Sequence, residues 1–263
     1  MFSHHASSGS VFSANSILRK LVKPSKVHDE SVIEIIDNET EPGNIFLINA
    51  LVTCVMPEEH GGCNYGVIYF DLNQHFDLLS LISMMEERTN ANESKIKEWI
   101  RKFYIVRCDS VEQLIITLYS IEPLIANSKI PVKLLILDGL STFYWNEQCA
   151  GGFSQYLKEQ NYRKLVKALD LFHKKYNLSI LVRTLEMFPP ITAENADQEF
   201  DPRNLKLYGD FWENFVIYRF ILKFKKSSTT SKIDDINRTD VVLSCFSPGH
   251  YDVSFSLKGI VVK

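Results

Sequence analysis

The chain has 263 residues, of which 45% are hydrophobic and 23% are charged. This is the composition of one large globular domain, which can bury enough core to fold without disulfide or metal staples. The formal net charge of −3 excludes a diffusely basic coat for nucleic acid, so any contact with DNA would be local or shared with a partner.

Residues 1–43 are predicted to be a flexible lead. Their first 28 residues contain seven serines and four basic residues but no acid. This composition resembles a mitochondrial transit peptide, but we favour a flexible start followed by a short amphipathic helix at residues 14–22.

From residue 45 onward, short apolar runs alternate with segments of helical periodicity. The runs predict strands at residues 45–48, 67–70, 103–106, 134–137 and 179–182. The periodic segments predict helices at residues 78–85, 96–103, 110–118 and 165–172. Continuous apolar strands separated by helices are typical of a parallel sheet that is covered on both faces.

The C-terminal part of the chain has a different pattern. Residues 218–224, 241–246 and 251–256 predict antiparallel strands that are added to one edge of the sheet. Between the two parts, residues 189–204 are predicted to form a loop. The longest nearly apolar run, residues 46–56, is well short of the roughly 20 residues that a membrane helix needs, so no membrane contact is expected.

Two acidic residues, Asp71 and Asp138, follow apolar strands. Ligands of open α/β sheets bind at the carboxyl ends of the strands, and a carboxylate there can hold Mg²⁺ for a nucleotide. The pattern is common in α/β proteins and does not identify a nucleotide site by itself.

The phosphate-binding motifs are absent. A P-loop needs Gly-x-x-x-x-Gly-Lys-[Ser/Thr] between a strand and a helix, but the chain has no Gly-Lys pair. Residues 49–66, between the first two predicted strands, leave room for a short helix only. Gly-x-Gly-x-x-Gly, Gly-x-Ser-x-Gly and His-Glu-x-x-His are absent as well, and His75 is interpreted as a loop or helix-start residue.

The cysteines and histidines indicate no metal site. The five cysteines form no Cys-x-x-Cys pair, which is typical of reduced thiols in the cytosol or nucleus. His60 and Cys63 have a ligand-like spacing, but no second pair accompanies them.

Three motifs identify a family. They lie at residues 69–79 (YFDLNQHFDLL), 118–122 (LYSIE) and 134–145 (LLILDGLSTFYW). They resemble the paralogs of the eukaryotic RecA-like recombinase, best over residues 64–145. The resemblance implies a RecA-like three-layer core at residues 44–263, without the helical N-terminal DNA-binding domain of the full recombinase. It also implies a nuclear role in homologous recombination, within a complex of several paralogs.

The chain departs from the family at the positions that handle nucleotide. The resemblance matches the Mg²⁺-associated acid to Asp138, which is retained. It matches the acid that polarises water to Asn73 and the γ-phosphate sensor to Leu185. It also indicates that the phosphate loop and the first turns of the next helix are deleted after Ile48. Asp71 and Asp138 would then be vestigial Mg-nucleotide positions, with no catalytic residue and no bound cofactor.

The segments that match the DNA-gripping loops of the recombinase give little support for direct DNA binding. The second of them, residues 187–207, is acidic, whereas a loop that tracks phosphates is expected to be basic. Lys223, Lys225, Lys226 and Lys232 form a basic cluster that we interpret as a solvated strand end.

These observations leave three hypotheses. The leading one is a non-catalytic subunit that pairs with another recombinase paralog, reaches DNA through the complex and promotes assembly of the recombinase filament at double-strand breaks. The second is an ATP-binding, DNA-dependent ATPase of the same family whose P-loop is lost only in this transcript or gene model. The third is an unrelated α/β enzyme that uses Asp71 and Asp138.

Overall fold

A computed structural model describes residues 32–37, 41–149, 155–185, 208–224, 240–245 and 251–256. The predicted N-terminal helix, the 189–204 loop, the acidic segment and the lysines of the basic cluster after Lys223 lie outside these residues.

The centre of the fold is a β-sheet. Its strands are β1 (Val32–Asp37), β2 (Gly66–Asp71), β3 (Phe103–Val106), β4 (Val132–Asp138), β5 (Ser179–Leu185), β6 (Tyr218–Phe224), β7 (Asp240–Cys245) and β8 (Tyr251–Ser256). Within the described residues their order is β3-β2-β4-β5-β1-β6-β7-β8. All pairings from β3 to β6 are parallel. The β6–β7 and β7–β8 pairings are antiparallel.

Helices cover both faces of the sheet. They are α1 (Glu41–Val55), α2 (Leu78–Thr89), α3 (Glu93–Ile100), α4 (Val111–Ser120), α5 (Glu122–Asn127), α6 (Ser141–Cys149), α7 (Gln155–Tyr176) and α8 (Asp210–Phe215). One core lies between the sheet and α1–α3, and the other lies between the sheet and α4–α8. The predicted fold class, a RecA-like three-layer α/β core with a mostly parallel sheet, is confirmed. None of the helices in the described residues is both long and apolar enough to cross a membrane.

The first predicted strand is wrong, because residues 45–48 lie inside helix α1. This helix is apolar around most of its circumference, and all ten residues from Phe46 to Val55 are at most 6% exposed. A helix buried on all sides has no polar stripe to mark its period, so its apolar run has the same pattern as a buried strand. The first strand is β1, and the core therefore begins before residue 44, the predicted boundary.

The predicted direction of β6 is also wrong. β6 pairs with β1 in parallel, with Ile35 opposite Phe220. The alternating pattern of this segment correctly indicates a strand, but alternation is the same in both directions. The direction is set by the crossover that precedes β6, which includes α8.

Helices α4 and α2 begin with capping side chains. The predicted start of α4 is confirmed, since the Ser110 hydroxyl accepts a hydrogen bond from the Gln113 backbone N–H at 3.1 Å. At the start of α2, the Asp77 carboxylate accepts from the backbone N–H groups of Leu79 at 2.9 Å and Ser80 at 3.3 Å. These bonds satisfy donors that the first helical turn leaves without a partner.

Replacing the α2 cap by alanine is expected to lower the free energy of unfolding by about 1 kcal/mol. Asp77→Asn keeps an acceptor and is expected to cost less. The hydrogen bonds from Ser80 hold the pKa of Asp77 below its usual 3.8, so the charged cap stabilises the fold above that pH. Its contribution is lost as the pH falls through the lowered pKa. Urea unfolding of Asp77→Ala and Asp77→Asn at neutral and acidic pH measures these changes in the free energy of unfolding. An equal loss of stability in the two variants at neutral pH would contradict the role of Asp77 as a cap.

Candidate functional site

Three neighbouring strands carry charged residues in one row at their carboxyl ends. Asp71 on β2 lies opposite Asp138 on β4, and Asp138 lies opposite Arg183 on β5. Two positions earlier on each strand lies a residue of the core under α1. Because side chains alternate between the faces of a strand, the row faces α1 as well. The structure thus brings together both predicted site residues and adds an arginine that the sequence analysis did not single out.

Arg183 is the centre of this site. Its side chain is fully buried, and its Nε lies 2.6 Å from the Asp138 Oδ1 in an ion pair. Its Nη1 lies 3.7 Å from the Asp37 Oδ2 and donates a hydrogen bond to the Asn44 Oδ1. The guanidinium therefore joins strand β1, helix α1 and strand β4. The side chain places a positive charge at the carboxyl edge of the sheet.

A tyrosine completes the surroundings of Asp138. The Tyr69 hydroxyl donates a hydrogen bond to the Asp138 Oδ2. Burial raises the pKa of Tyr69, and the charge of Asp138 raises it further, so the phenol remains a donor. Burial also raises the pKa of Asp138, although the charge of Arg183 and the bond from Tyr69 act in the opposite direction. The protein itself thus supplies a partner for each oxygen of this carboxylate.

Asp71 is paired with groups of the following loops. Its Oδ1 accepts a hydrogen bond from the His75 backbone N–H at 3.0 Å, and its Oδ2 lies 3.3 Å from the Arg107 Nε. His75 meets this carboxylate through its main chain, and its side chain is exposed. The prediction that it is a loop residue agrees with this placement.

The segment between β1 and α1 occupies the place of a P-loop. Such a loop lies between a strand and a helix. We place the first glycine of the P-loop motif at Asp37, the last residue of β1. The second glycine of the motif then falls on Pro42, the lysine on Gly43 and the serine or threonine on Asn44. The predicted deletion after Ile48 is wrong, because the strand and a helix of 15 residues are both present. These three residues are not of the types that bind phosphate in a P-loop.

Gly43 could not be a lysine in this arrangement. A Cβ atom added to it would lie 1.8 Å from the Asp37 Oδ2 and 2.9 Å from the Arg183 Cδ. These distances are far shorter than any van der Waals contact. The absence of a side chain at Gly43 therefore lets α1 close onto the buried ion pairs.

The resemblance matches two other positions to catalytic residues of the family. Asn73 stands in place of the acid that polarises water, and Leu185 stands in place of the glutamine that senses the γ-phosphate. Asn73 packs against Gly139, and its Oδ1 accepts from the His75 backbone N–H at 3.3 Å. An amide cannot accept the proton of an attacking water. Leu185 is the last residue of β5, and its backbone N–H donates to the Ser141 hydroxyl at 2.9 Å. Among the residues that the structure describes, the site thus pairs its charged groups with one another.

A second buried charge, Glu34 on β1, lies on the opposite face of the sheet. Its Oε1 accepts from the Thr184 hydroxyl at 2.8 Å and from the Trp212 indole at 3.1 Å. Its Oε2 lies 2.7 Å from the Arg219 Nε, and Arg219 also pairs with Glu213 at 2.6 Å. This network joins β1, β5, β6 and α8, and the sequence analysis did not find it.

Removing the Glu34 carboxylate is expected to lower the free energy of unfolding by about 2 kcal/mol, because Glu34→Ala leaves buried donors without an acceptor. Glu213→Ala is the matched control. It removes a partner of Arg219 that is more exposed and is expected to cost clearly less. Urea denaturation of both variants measures the difference, and equal losses would contradict a special role of the buried carboxylate.

His60, which has a ligand-like spacing to Cys63, packs against an aromatic side chain. Its ring contacts the Trp99 ring, with 5.2 Å between their centroids. In the part of the chain that the structure describes, no cluster of three or more histidine, cysteine or acidic side chains could hold a metal ion. Burial raises the pKa of the Cys54 and Cys108 thiols, so both remain protonated.

The fold defines the class of protein: an α/β protein with a RecA-like core, in which no Gly-Lys pair lies between strand β1 and helix α1. Comparison with known proteins gives a more particular result. Over 204 residues the chain is 28% identical to the DNA repair protein XRCC2 of Mus musculus, and the match covers 73% of this chain and 72% of that protein. It is 22% identical over 194 residues to the DNA repair protein XRCC2 homolog of Arabidopsis thaliana, covering 59% of this chain and 52% of that protein. No protein-family model matches the chain.

These similarities confirm the resemblance that the motifs at residues 69–79 and 134–145 indicate. Within the recombinase paralogs, those motifs point to X-ray repair cross-complementing protein two, and the chain is similar to proteins of that name from a mammal and a plant.

Proposed function

We propose that this chain is a non-catalytic recombinase paralog that acts in homologous-recombination repair of DNA double-strand breaks. It would work in the nucleus as a subunit of a complex of several paralogs and promote assembly of the recombinase filament. Both relatives are named as DNA repair proteins, which supports the repair role.

The observation that carries the non-catalytic part of the proposal is the pairing of Asp138 with Arg183. The acid at the end of β4 is the one family position for Mg²⁺ that the sequence retains, and its partner is a buried arginine at 2.6 Å. The loop position at which the family has its phosphate-binding lysine is Gly43, and the nearby Arg183 guanidinium is already paired with acids of this chain.

The proposed partner is another recombinase paralog, which would form a heterodimer with this chain. One feature that supports a protein partner is β3, whose single neighbour within the described residues is β2. The Ile105 side chain on this strand is 43% exposed. An edge strand with unpaired main-chain groups can accept a strand from another chain. DNA would be reached through the complex, since the net charge is −3.

The two alternative hypotheses lose support. A P-loop restored after Ile48 would interrupt helix α1, which runs without a break from Glu41 to Val55. The hypothesis of a defective gene model rested on a gap at that point. An unrelated enzyme that uses Asp71 and Asp138 would need carboxylates able to meet a substrate, whereas both are buried and paired with arginines.

The proposal predicts that the purified chain hydrolyses ATP no faster than background, with or without DNA. A sensitive phosphate-release assay measures this, and Asp138→Asn serves as the control for contaminating ATPases. Hydrolysis by the wild type that Asp138→Asn abolishes would overturn the non-catalytic function.

The assignment to a paralog complex has a separate test. Affinity purification of the tagged chain from dividing cells is expected to recover other recombinase paralogs in stoichiometric amounts. An untagged culture is the control. Repeated recovery of the chain without any paralog would contradict the proposed partnership.

A further inference from the structure

In a P-loop nucleotide site, the metal ion has two protein neighbours. One is the serine or threonine at the end of the loop, and the other is the acid at the end of a nearby strand. In this chain Asn44 has the first position and Asp138 the second. The Arg183 guanidinium lies between them, with Nη1 on the Asn44 Oδ1 and Nε 2.6 Å from the Asp138 Oδ1.

We infer that Arg183 is a built-in cation that takes the place of the divalent metal ion and closes the site to both metal and nucleotide. This inference rests on the proposed non-catalytic function. It adds a second obstacle to nucleotide binding, the Arg183 side chain, which is independent of the missing P-loop residues. Restoring the phosphate loop alone would then not restore nucleotide binding.

The charges of the site favour this assignment. Asp37 and Asp138 are both buried, and two carboxylates in a low-dielectric region need a positive charge close by. A bound metal ion can supply it in a nucleotide-using protein, and the guanidinium supplies it here. Arg183 contacts both acids, at 3.7 Å and 2.6 Å.

The packing keeps the guanidinium in place. Arg183 is fully buried, and the Gly43 backbone lies so close to its Cδ that a Cβ there would be 2.9 Å away. Helix α1 therefore seals the arginine inside. A surface arginine could swing away and admit a ligand, but this one could leave only if α1 moved.

The first experiment asks whether a metal can replace the arginine. Arg183→Met removes the charge and keeps much of the volume. Millimolar MgCl₂ or MnCl₂ is expected to raise the melting temperature or the folded yield of this variant by a clear margin over the same sample in EDTA. The wild type is expected not to respond.

Arg219→Met is the matched control for the metal experiment. It removes an arginine that also pairs with two acids, but on the opposite face of the sheet. It is expected to be destabilised without any response to metal. The inference is overturned if metal has no effect on either the yield or the melting temperature of Arg183→Met, or if it stabilises both arginine variants equally.

The second experiment restores the loop with and without the arginine. The quadruple variant Asp37→Gly/Pro42→Gly/Gly43→Lys/Asn44→Thr carries the complete loop signature but retains Arg183. It is expected not to bind Mg-ATP in a fluorescent-nucleotide titration. Adding Arg183→Thr is expected to produce saturable binding that excess ATP displaces and EDTA weakens.

The outcomes separate this inference from the proposed function. Nucleotide binding by both loop variants, or by neither, would overturn the role of Arg183 and leave the non-catalytic function intact. ATP turnover by the wild type would overturn the proposed function itself.

Discussion

Replacing Arg183 with methionine is expected to lower the free energy of unfolding by about 3–5 kcal/mol in metal-free buffer. The substitution leaves Asp37 and Asp138 buried without the charge that both of them contact. Removing one partner of a buried ion pair costs much more than the pair contributes, because the remaining charge has lost its water as well. Urea unfolding followed by circular dichroism measures the loss.

Two further variants make this prediction specific. Arg183→Lys keeps the charge but loses the planar fork, so an intermediate loss is expected. Arg183→Met combined with Asp138→Asn is expected to cost less than the sum of the single variants, because the amide removes one of the buried charges. A loss below about 1 kcal/mol for Arg183→Met, the size typical of an exposed pair, would contradict the buried network.

Gly43→Ala is expected to lower the free energy of unfolding by about 3 kcal/mol, which is large for one added methyl group. The new Cβ would lie 1.8 Å from the Asp37 Oδ2, so either the carboxylate or helix α1 has to move. Either movement separates Asp37 from Arg183. The expected result is a loss of stability with little change in helix content, measured by urea unfolding and far-ultraviolet circular dichroism.

A second glycine serves as the control for Gly43. At Gly66, the nearest atom to an added Cβ is the Val132 Cγ2 at 3.1 Å, and this methyl group can give way by a few tenths of an ångström. Gly66→Ala is therefore expected to cost clearly less. If the two alanine variants are equally stable, the close approach of α1 to Asp37 has no energetic importance.

The sequence predicts strands β2 to β5 well because each is a short apolar run with turn residues at its ends. It also predicts that Asp71 and Asp138 share one edge, since parallel strands end on the same side. It could not predict α1, because a helix that is buried all round shows no period.

The sequence contains one indication of each buried charge network: a charged residue within a largely apolar strand. Glu34 and Arg183 each lie inside a largely apolar strand, VIEIID and SILVRTL respectively. A charged residue in a central strand has to be paired, because burying an isolated charge is very unfavourable. The sequence alone does not name the partners, because they lie on strands that are distant along the chain and the strand order is needed to bring them together.

The position of β1 has a consequence for how the chain folds as it is synthesised. Its two neighbours are β5, from Ser179, and β6, from Tyr218, both of which emerge from the ribosome long after it. Until then β1 has no strand to pair with, although α1 can already pack on β2 and β4, and pairing between such distant segments is slow. Strand β1 is thus expected to be among the last strands of the sheet to pair. Nascent chains that stop before residue 224 are expected to be bound by chaperones.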